Sequence, residues 1–198
     1  MLTPPFRRAT VDDAGILADL VEFASEGLAL YLWTKIAGPG RDPWHIGRER
    51  VLSETNGLSY RNAVIAEASG QPASGLISYP LKDKPEPISD EVPAVLVPLH
   101  GLMNQALNTW YVHALAAYPE HRGKGQGSAL LAVAETFAIS AGKRGLSLLV
   151  SDTNTGARRL YEHCGYREAA HCRMVKEQWQ HPGTNWVLLR KDIRLQCS

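Results

Sequence analysis

Cysteine is scarce in this chain, and neither a disulfide framework nor a zinc motif can be read from it. Only Cys164, Cys172 and Cys197 occur among the 198 residues, and none forms a C-x-x-C spacing. An odd number leaves one thiol unpaired in any disulfide scheme, whereas small secreted folds depend on several bridges. The sequence therefore predicts a reducing, cytoplasmic location.

An excess of charge of one sign and a long hydrophobic run are also missing. The chain has 21 basic and 20 acidic residues, so no global field recruits nucleic acid or an anionic membrane. No apolar run approaches a membrane span, and the start MLTPPFRRATVDD lacks the pattern of a signal peptide. Apart from His113, the histidines form no H-x-x-x-H or H-E-x-x-H pair. We expect no nucleic-acid partner, no membrane partner and no metal.

What the chain does contain is enough apolar sequence for one sizeable core, with 44% hydrophobic residues. A single domain over residues 1–198 is the prediction. Apolar patterns between turn residues predict strands at Phe6–Ala9, 62–68, 74–79, Thr109–Ala117, 146–150, 167–175 and 186–191. Helical spacing predicts helices within 11–33, at 44–52, at 95–106, after Gly127 and at 154–164. Strands that alternate with helices, followed by a final strand pair, indicate an α/β fold with a mixed sheet.

A basic, glycine-rich turn, R-G-K-G-Q-G at 122–127, joins a predicted strand to a predicted helix. A helix start leaves backbone N–H groups unpaired and carries partial positive charge, and glycine lets an anion approach closely. The turn therefore predicts a site for a phosphate-bearing ligand. The Walker and dinucleotide patterns fit its glycine spacing poorly. The helix that follows is predicted to bury Leu130, Ala134, Phe137 and Ala141.

Two blocks of the sequence resemble signatures of the GNAT superfamily of N-acetyltransferases. Arg122, Gly125 and Gly127 fill the fixed positions of the acyl-CoA loop (Q/R)-x-x-G-x-(G/A). The block N-T-G-A-R-R-L-Y-E-H-C-G-Y at 154–166 is similar to the second signature of the family. Together the blocks make residues 109–166 similar to the family, while the first hundred residues resemble it only loosely.

The resemblance implies a GNAT-like single α/β domain with a mixed six- to seven-stranded sheet and helices on both faces. Strands four and five, at Thr109–Ala117 and 146–150, are expected to splay apart for the pantetheine arm. Residues 1–60 would contribute a strand and helices that wall the acceptor site. Trp33 and Trp44 belong to this segment, although either ring fits a place in the core at least as well. Residues 61–198 would form the sheet and the acyl-CoA-binding core.

Acetyl-CoA is the co-substrate that the resemblance implies. Its expected contacts come from one strand end, the glycine loop and the start of the later helix: Leu115, Ala116, Ala117, Arg122, Gly123, Lys124, Gly125, Gln126, Gly127, Ser128, Asn154 and Ala157. A backbone N–H within 115–117 would polarise the acetyl carbonyl. Ordinary packing of small residues explains Ala116 and Ala117 equally well, and Asn154 also fits a helix N-cap.

Two side chains are the candidates for catalysis. A primary amine is mostly protonated at neutral pH, so a base is useful, and the ordinary pKa of histidine near 6.5 suits His113. The string Y-V-H-A-L-A resembles the H-x-H-x-L-A strand of the arylalkylamine acetyltransferases, with Tyr111 in place of the first histidine. Tyr161 occupies the position of the tyrosine that meets the cofactor sulfur in the family. The alternatives are a hydrogen-bonded sheet histidine and a buried aromatic residue.

The resulting prediction is transfer of an acetyl group from acetyl-CoA to an amine, directly within a ternary complex. The acceptor is expected to be a small molecule, while a protein acceptor and a homodimer both stay open. A non-catalytic acyl-CoA-binding sensor is the alternative from another class. Asp19, Glu22 and Glu26 are interpreted either as attracting a cationic amine or as an exposed helix face.

Overall fold

The computed structural model describes residues 2–193, so that Cys197 lies outside the described residues. Within them the chain forms six α-helices and seven strands, close to the predicted series. The helices are α1 (Ala14–Ser25), α2 (Leu28–Ala37), α3 (Pro43–Leu52), α4 (Val97–Met103), α5 (Gln126–Ser140) and α6 (Thr155–His163). The strands are β1 (Phe6–Arg8), β2 (Ala63–Ala68), β3 (Gln71–Pro80), β4 (Thr109–Ala117), β5 (Gly145–Ser151), β6 (Arg167–Arg173) and β7 (Asn185–Asp192).

The seven strands form one mixed sheet in the order β1-β2-β3-β4-β5-β7-β6, which confirms the predicted α/β class. Strands β4 and β5 pair in parallel, while β5 and β6 each pair with β7 in antiparallel fashion. The β4–β5 register runs from Thr109↔Gly145 to Val112↔Leu148, although β4 continues to Ala117 and β5 to Ser151. The pairing therefore ends where a splay between the fourth and fifth strands is expected.

Contacts between Cα atoms divide the chain into two compact units that interleave along the sequence. Within the described residues, unit 1 consists of 2–78 and His113–Leu130, and unit 2 of Tyr79–Val112 and 131–193. The functional division of the chain at residue 60 stays a prediction.

The core of unit 1 lies between helices α1 to α3 and strands β2 to β4. Apolar side chains from all six elements share it, including Leu17, Leu20, Trp33, Val51, Ile65, Ile77 and Ala114. Trp33 is only 2% exposed. Trp44 packs against the same core, and its ring centroid lies 5.6 Å from that of Trp33. Trp33 is therefore a core residue, the alternative that the sequence left open for it. The acceptor-site wall formed by residues 1–60 stays a prediction.

Acidic residues of α1 also have roles other than those expected from the sequence. The helix ends where Glu26 and Gly27 take positive φ angles, and α2 begins at once. The carboxylate of Glu22 accepts a hydrogen bond of 2.8 Å from the N–H of Leu30, in the first turn of α2. Asp19 accepts one of 2.9 Å from the hydroxyl of Tyr118. Both carboxylates are thus half-buried structural acceptors, and the exposed-face interpretation is wrong for them.

The buried face of α5 differs from the predicted one near its end. Leu130 and Ala134 are buried as expected, together with Leu131 and Ala138. Phe137 is half-buried beside Trp110, and Ala141 is exposed because the helix has already ended at Ser140. The N–H of Lys143 bonds to the carbonyl of Ala138, and Gly142 has a φ of +64°, which together are typical of a helix C-terminus closed by glycine.

Unit 2 holds β5, β6 and β7 with the start of β4. The hydroxyls of Thr109 and Ser147 share a buried hydrogen bond of 2.6 Å across the β4–β5 pair. The thiol of Cys172 on β6 faces the carbonyl of Pro98 in α4 at 3.6 Å. Across residues 2–193, none of the helices combines the length and the apolarity needed to cross a bilayer.

Candidate active site

Strand β4 presents His113 at its surface. His113 is exposed, whereas its neighbours Val112 and Ala114 are buried. Because Ala114 and Ala116 contact the core of unit 1, strand alternation directs His113, Leu115 and Ala117 to the opposite face. His113 therefore lies on the face of β4 opposite to the one that packs on this core.

The glycine loop follows β4 in unit 1 and is open to its surroundings. Residues 122–125 are all exposed, and φ is +72° at Gly123 and +80° at Gly125. A Cβ built on either glycine meets no heavy atom within 4 Å. Positive φ explains the requirement for glycine at both positions, since other residues adopt it at a cost. The loop surface is thus free to receive a bulky group.

Helix α5 begins immediately after this loop and provides its amides. Ala129 donates to the carbonyl of Gly125 at 3.2 Å, so the amides before it are those that a helix start leaves without an intrahelical acceptor. The exposed cations Arg122 and Lys124 lie in the loop just before these amides. Partial and full positive charges therefore coincide here, as the sequence predicts for an anion site.

The start of the loop is attached to the rest of unit 1 by contacts that no sequence motif indicates. Tyr118 donates its N–H to the carbonyl of Ala73 at 3.0 Å and its hydroxyl to Asp19 at 2.9 Å. The Nε of Arg122 donates to the carbonyl of Ala117 at 3.2 Å. Asp19 and Tyr118 are 99 residues apart, and such a distance leaves no local pattern to read.

Helix α6, in unit 2, begins at the second signature. The side-chain oxygen of Asn154 accepts a hydrogen bond of 3.1 Å from the N–H of Ala157, which confirms the N-cap. Just before it, the carboxylate of Asp152 accepts from the N–H groups of Thr184 and Asn185 at 3.0 and 2.9 Å. These bonds fix the chain at the end of β5. Cofactor contacts of Asn154 and Ala157 stay predictions.

Tyr161 belongs to a group of buried tyrosines in unit 2. It is 8% exposed and its ring lies 5.9 Å from that of Tyr166. Tyr111 packs edge to face on Tyr79 at 5.6 Å. Burial raises the pKa of Tyr111 well above its usual value, and the nearby Tyr79 and Tyr161 raise this pKa further. A buried phenol of this kind stays protonated at neutral pH, so Tyr111 does not replace the missing histidine as a proton acceptor.

The predicted residues thus form two groups, one in each unit. Unit 1 brings together His113, the strand end 115–117 and the loop 122–128, and unit 2 brings together Asn154, Ala157 and Tyr161. Among residues 2–193 no group of three His, Cys, Asp or Glu side chains is arranged to hold a metal ion.

Comparison with known protein families gives a match over most of the chain. The model of the acetyltransferase (GNAT) family matches residues 30–166. No curated protein sequence matches the chain.

Solved structures with a similar fold extend over nearly the whole chain. A crystal structure of an acetyltransferase shares 21% identity and covers 96% of this chain and 99% of its own, with a TM-score of 0.65. An N-acetyltransferase from Staphylococcus aureus Mu50 shares 15% identity over 93% and 98%, with a TM-score of 0.61. A GNAT family acetyltransferase from Elizabethkingia anophelis, with acetyl-CoA bound, shares 15% over 88% and 89%, with a TM-score of 0.55.

Proposed function

The chain belongs to the acetyltransferase (GNAT) family and is an acyltransferase, and we propose that it transfers an acetyl group from acetyl-CoA to the amine of a small molecule. The transfer is direct, within a ternary complex of enzyme, thioester and amine. No covalent acetyl-enzyme intermediate is part of this proposal.

The observation that carries the proposal is the open loop at 122–128. Its two positive-φ glycines face open space, and it carries two exposed cations, Arg122 and Lys124, just before α5 begins. This arrangement suits the diphosphate of a coenzyme A thioester. The backbone amides and the cations can bind the phosphate oxygens, and the glycines leave space for them because they have no side chains. Acetyl-CoA bound to the similar Elizabethkingia anophelis protein supports the choice of thioester.

The chemistry is assigned to three groups of this chain. Exposed His113 accepts a proton from the attacking amine, directly or through water. A backbone N–H within 115–117 donates to the carbonyl oxygen as negative charge develops on it. Tyr161 donates a hydrogen bond from its phenol to the departing thiolate. The nitrogen–carbon bond forms and the carbon–sulfur bond breaks, which leaves an amide and the coenzyme A thiolate. The thiolate takes a proton from water and His113 gives its proton back to water, so the products are the amide and the coenzyme A thiol.

A panel of amines, assayed by release of the coenzyme A thiol, tests the proposal. The panel includes aliphatic amines, arylalkylamines, aminoglycoside-like polyamines and peptides with free N-termini, with acetyl-CoA as donor. We expect turnover on at least one small amine, with mass spectrometry showing an acetyl group added to the product. Substitution of His113→Gln should lower kcat/KM on that amine by about 100-fold, the smaller end of what acid–base catalysis contributes.

Equilibrium binding of acetyl-CoA separates the other outcomes. Tight binding with neither amine acetylation nor thioester hydrolysis would identify a sensor instead of an enzyme of this type. Turnover on peptides alone would replace the small-molecule acceptor by a protein. Absence of acetyl-CoA binding would overturn the proposal as a whole.

A further inference from the structure

Helix α1 contacts the start of the glycine loop through side chains that belong to neither family signature. Tyr118 directly follows β4 on the way to the loop, and its hydroxyl donates a hydrogen bond of 2.9 Å to the Asp19 carboxylate. The bond is partly buried and joins residues 99 positions apart. A hydrogen bond to a charged acceptor is stronger than one between neutral groups. It therefore fixes one side of Tyr118 against α1.

Phe23, one turn further along α1, contacts both ends of the segment 118–122. Its ring meets Tyr118 edge to face, with centroids 5.8 Å apart and planes at 82°. The guanidinium carbon of Arg122 lies 5.8 Å from the same ring centroid, within the range of a cation–π contact. Phe23 is 37% exposed, so burial in the core does not account for its position.

These contacts converge on the charge of Arg122. The guanidinium is held by the face of Phe23 and by the carbonyl of Ala117, which accepts from Nε at 3.2 Å. The ring of Phe23 is in turn oriented by Tyr118, which Asp19 anchors. A long exposed arginine otherwise samples many rotamers, and ordering it on binding reduces affinity.

We propose that Tyr118, anchored by Asp19 and packed on Phe23, is a positioning residue that preorganises Arg122 for the diphosphate of acetyl-CoA. This inference rests on the proposed function, since it takes 122–128 as the diphosphate loop. It assigns α1 a role in binding the acyl donor, in addition to the part in an acceptor-site wall that the family resemblance implies for residues 1–60. Tyr118 acts through Arg122 and touches no reacting atom.

A double-mutant cycle on acetyl-CoA binding tests the inference without requiring the acceptor. Dissociation constants are measured by titration calorimetry at about 0.1 M and about 1 M salt, where charges are weakly and strongly screened. The variants are Tyr118→Phe, Arg122→Ala and the two combined. At low salt Tyr118→Phe should weaken binding about ten-fold, as expected for one lost hydrogen bond to a charged group. The double variant should bind acetyl-CoA no more weakly than Arg122→Ala. The loss of affinity caused by Tyr118→Phe should be smaller at high salt than at low salt.

Matched variants separate positioning from a general structural effect. Asp19→Asn keeps an oxygen that can accept from Tyr118 but removes its charge, so it should weaken binding less than Asp19→Ala, which should match Tyr118→Phe. Tyr60→Phe removes a hydroxyl from another half-buried tyrosine of unit 1, which packs on the core and beside Arg61, and should leave binding unchanged.

Each contrary result has a definite meaning. If Tyr118→Phe binds acetyl-CoA as tightly as the wild type, this inference alone is overturned. Losses that multiply in the double variant would also overturn it, because Tyr118 would then act independently of Arg122. Failure of the wild type to bind acetyl-CoA would overturn the proposed function together with it.

Discussion

A Cβ atom added to Gly47 of α3 would lie 2.7 Å from the ring of Trp33. Trp33 is 2% exposed within the core of unit 1, so its ring has little room to move. We expect Gly47→Ala to destabilise the protein by about 1 kcal/mol, because overpacking outweighs the better helix propensity of alanine. Urea unfolding followed by tryptophan fluorescence measures the difference.

A second glycine provides the control for this comparison. Gly15 of α1 has no heavy atom within 4 Å of an added Cβ. Gly15→Ala should therefore leave stability unchanged or raise it slightly. Equal stability of the two alanine variants would contradict the contact with Trp33.

Asp13 should make stability depend on pH in the acid range. Its carboxylate accepts from both terminal nitrogens of Arg7, at 2.7 and 2.8 Å, and from the N–H of Thr10 at 2.7 Å. The hydrogen bonds from Arg7 lower the pKa of Asp13, against the opposing effect of its burial. A pKa that is lower in the folded state stabilises the protein fully above the unfolded value near 3.9. That stabilisation is lost as pH falls towards the folded pKa.

Asp13→Asn should therefore lower the free energy of unfolding by about 2 kcal/mol at pH 7, because the buried carboxylate no longer accepts charge-assisted hydrogen bonds. The difference from the wild type should narrow below about pH 4, where the wild-type carboxyl also becomes protonated. Thermal unfolding from pH 7 to pH 3 measures both effects, with exposed Asp12→Asn as the control. A difference that stays constant across this range would exclude the ionised carboxylate as its cause.

Gly125 and Gly142 allow the loop to be tested apart from general backbone strain. Both have positive φ, +80° and +64°, and an added Cβ meets no atom within 4 Å at either. Alanine at either position should cost about 1 kcal/mol of stability. Only Gly125→Ala should also weaken acetyl-CoA binding, by about ten-fold, since that strain displaces the amides of the loop. A comparable loss of affinity in Gly142→Ala would trace the effect to stability instead.

Tyr161 should affect turnover and leave donor affinity unchanged. Tyr161→Phe removes the proposed hydrogen bond to the departing thiolate, which strengthens as charge develops, so kcat should fall about ten-fold at constant KM for acetyl-CoA. Tyr166→Phe is the matched control: its hydroxyl is buried, and it has no hydrogen-bond partner within residues 2–193. Steady-state kinetics on an acceptor from the amine panel measures both variants. An unaltered rate in Tyr161→Phe would remove Tyr161 from the mechanism.

Local patterns in the sequence were sufficient for the elements that carry the proposed chemistry. Strand β4 has the predicted bounds, Thr109–Ala117, because an apolar segment between turn residues is a short-range signal. The glycine loop and the cap at Asn154 are equally local, since a loop that needs positive φ must carry glycine and a helix start needs an acceptor.

Residues with distant partners could not be interpreted in this way. Asp19 looks like any acid on a helix surface until the chain returns 99 residues later with Tyr118.

The end of α5 was also not predicted from the apolar spacing. Ala141 continues that spacing, but the C-terminal turn closed by Gly142 stops the helix one residue before it. The spacing rule reads one helix face and contains no information on where a helix ends.

The interleaving of the two units has a consequence for dissecting the protein. The chain passes from one unit to the other inside β3, β4 and α5, at 78/79, 112/113 and 130/131. No uninterrupted stretch of the gene encodes either unit, and every truncation that would isolate one of them severs a strand or a helix. Loop and signature can therefore be studied only in the intact polypeptide, by point substitution and not by dividing it.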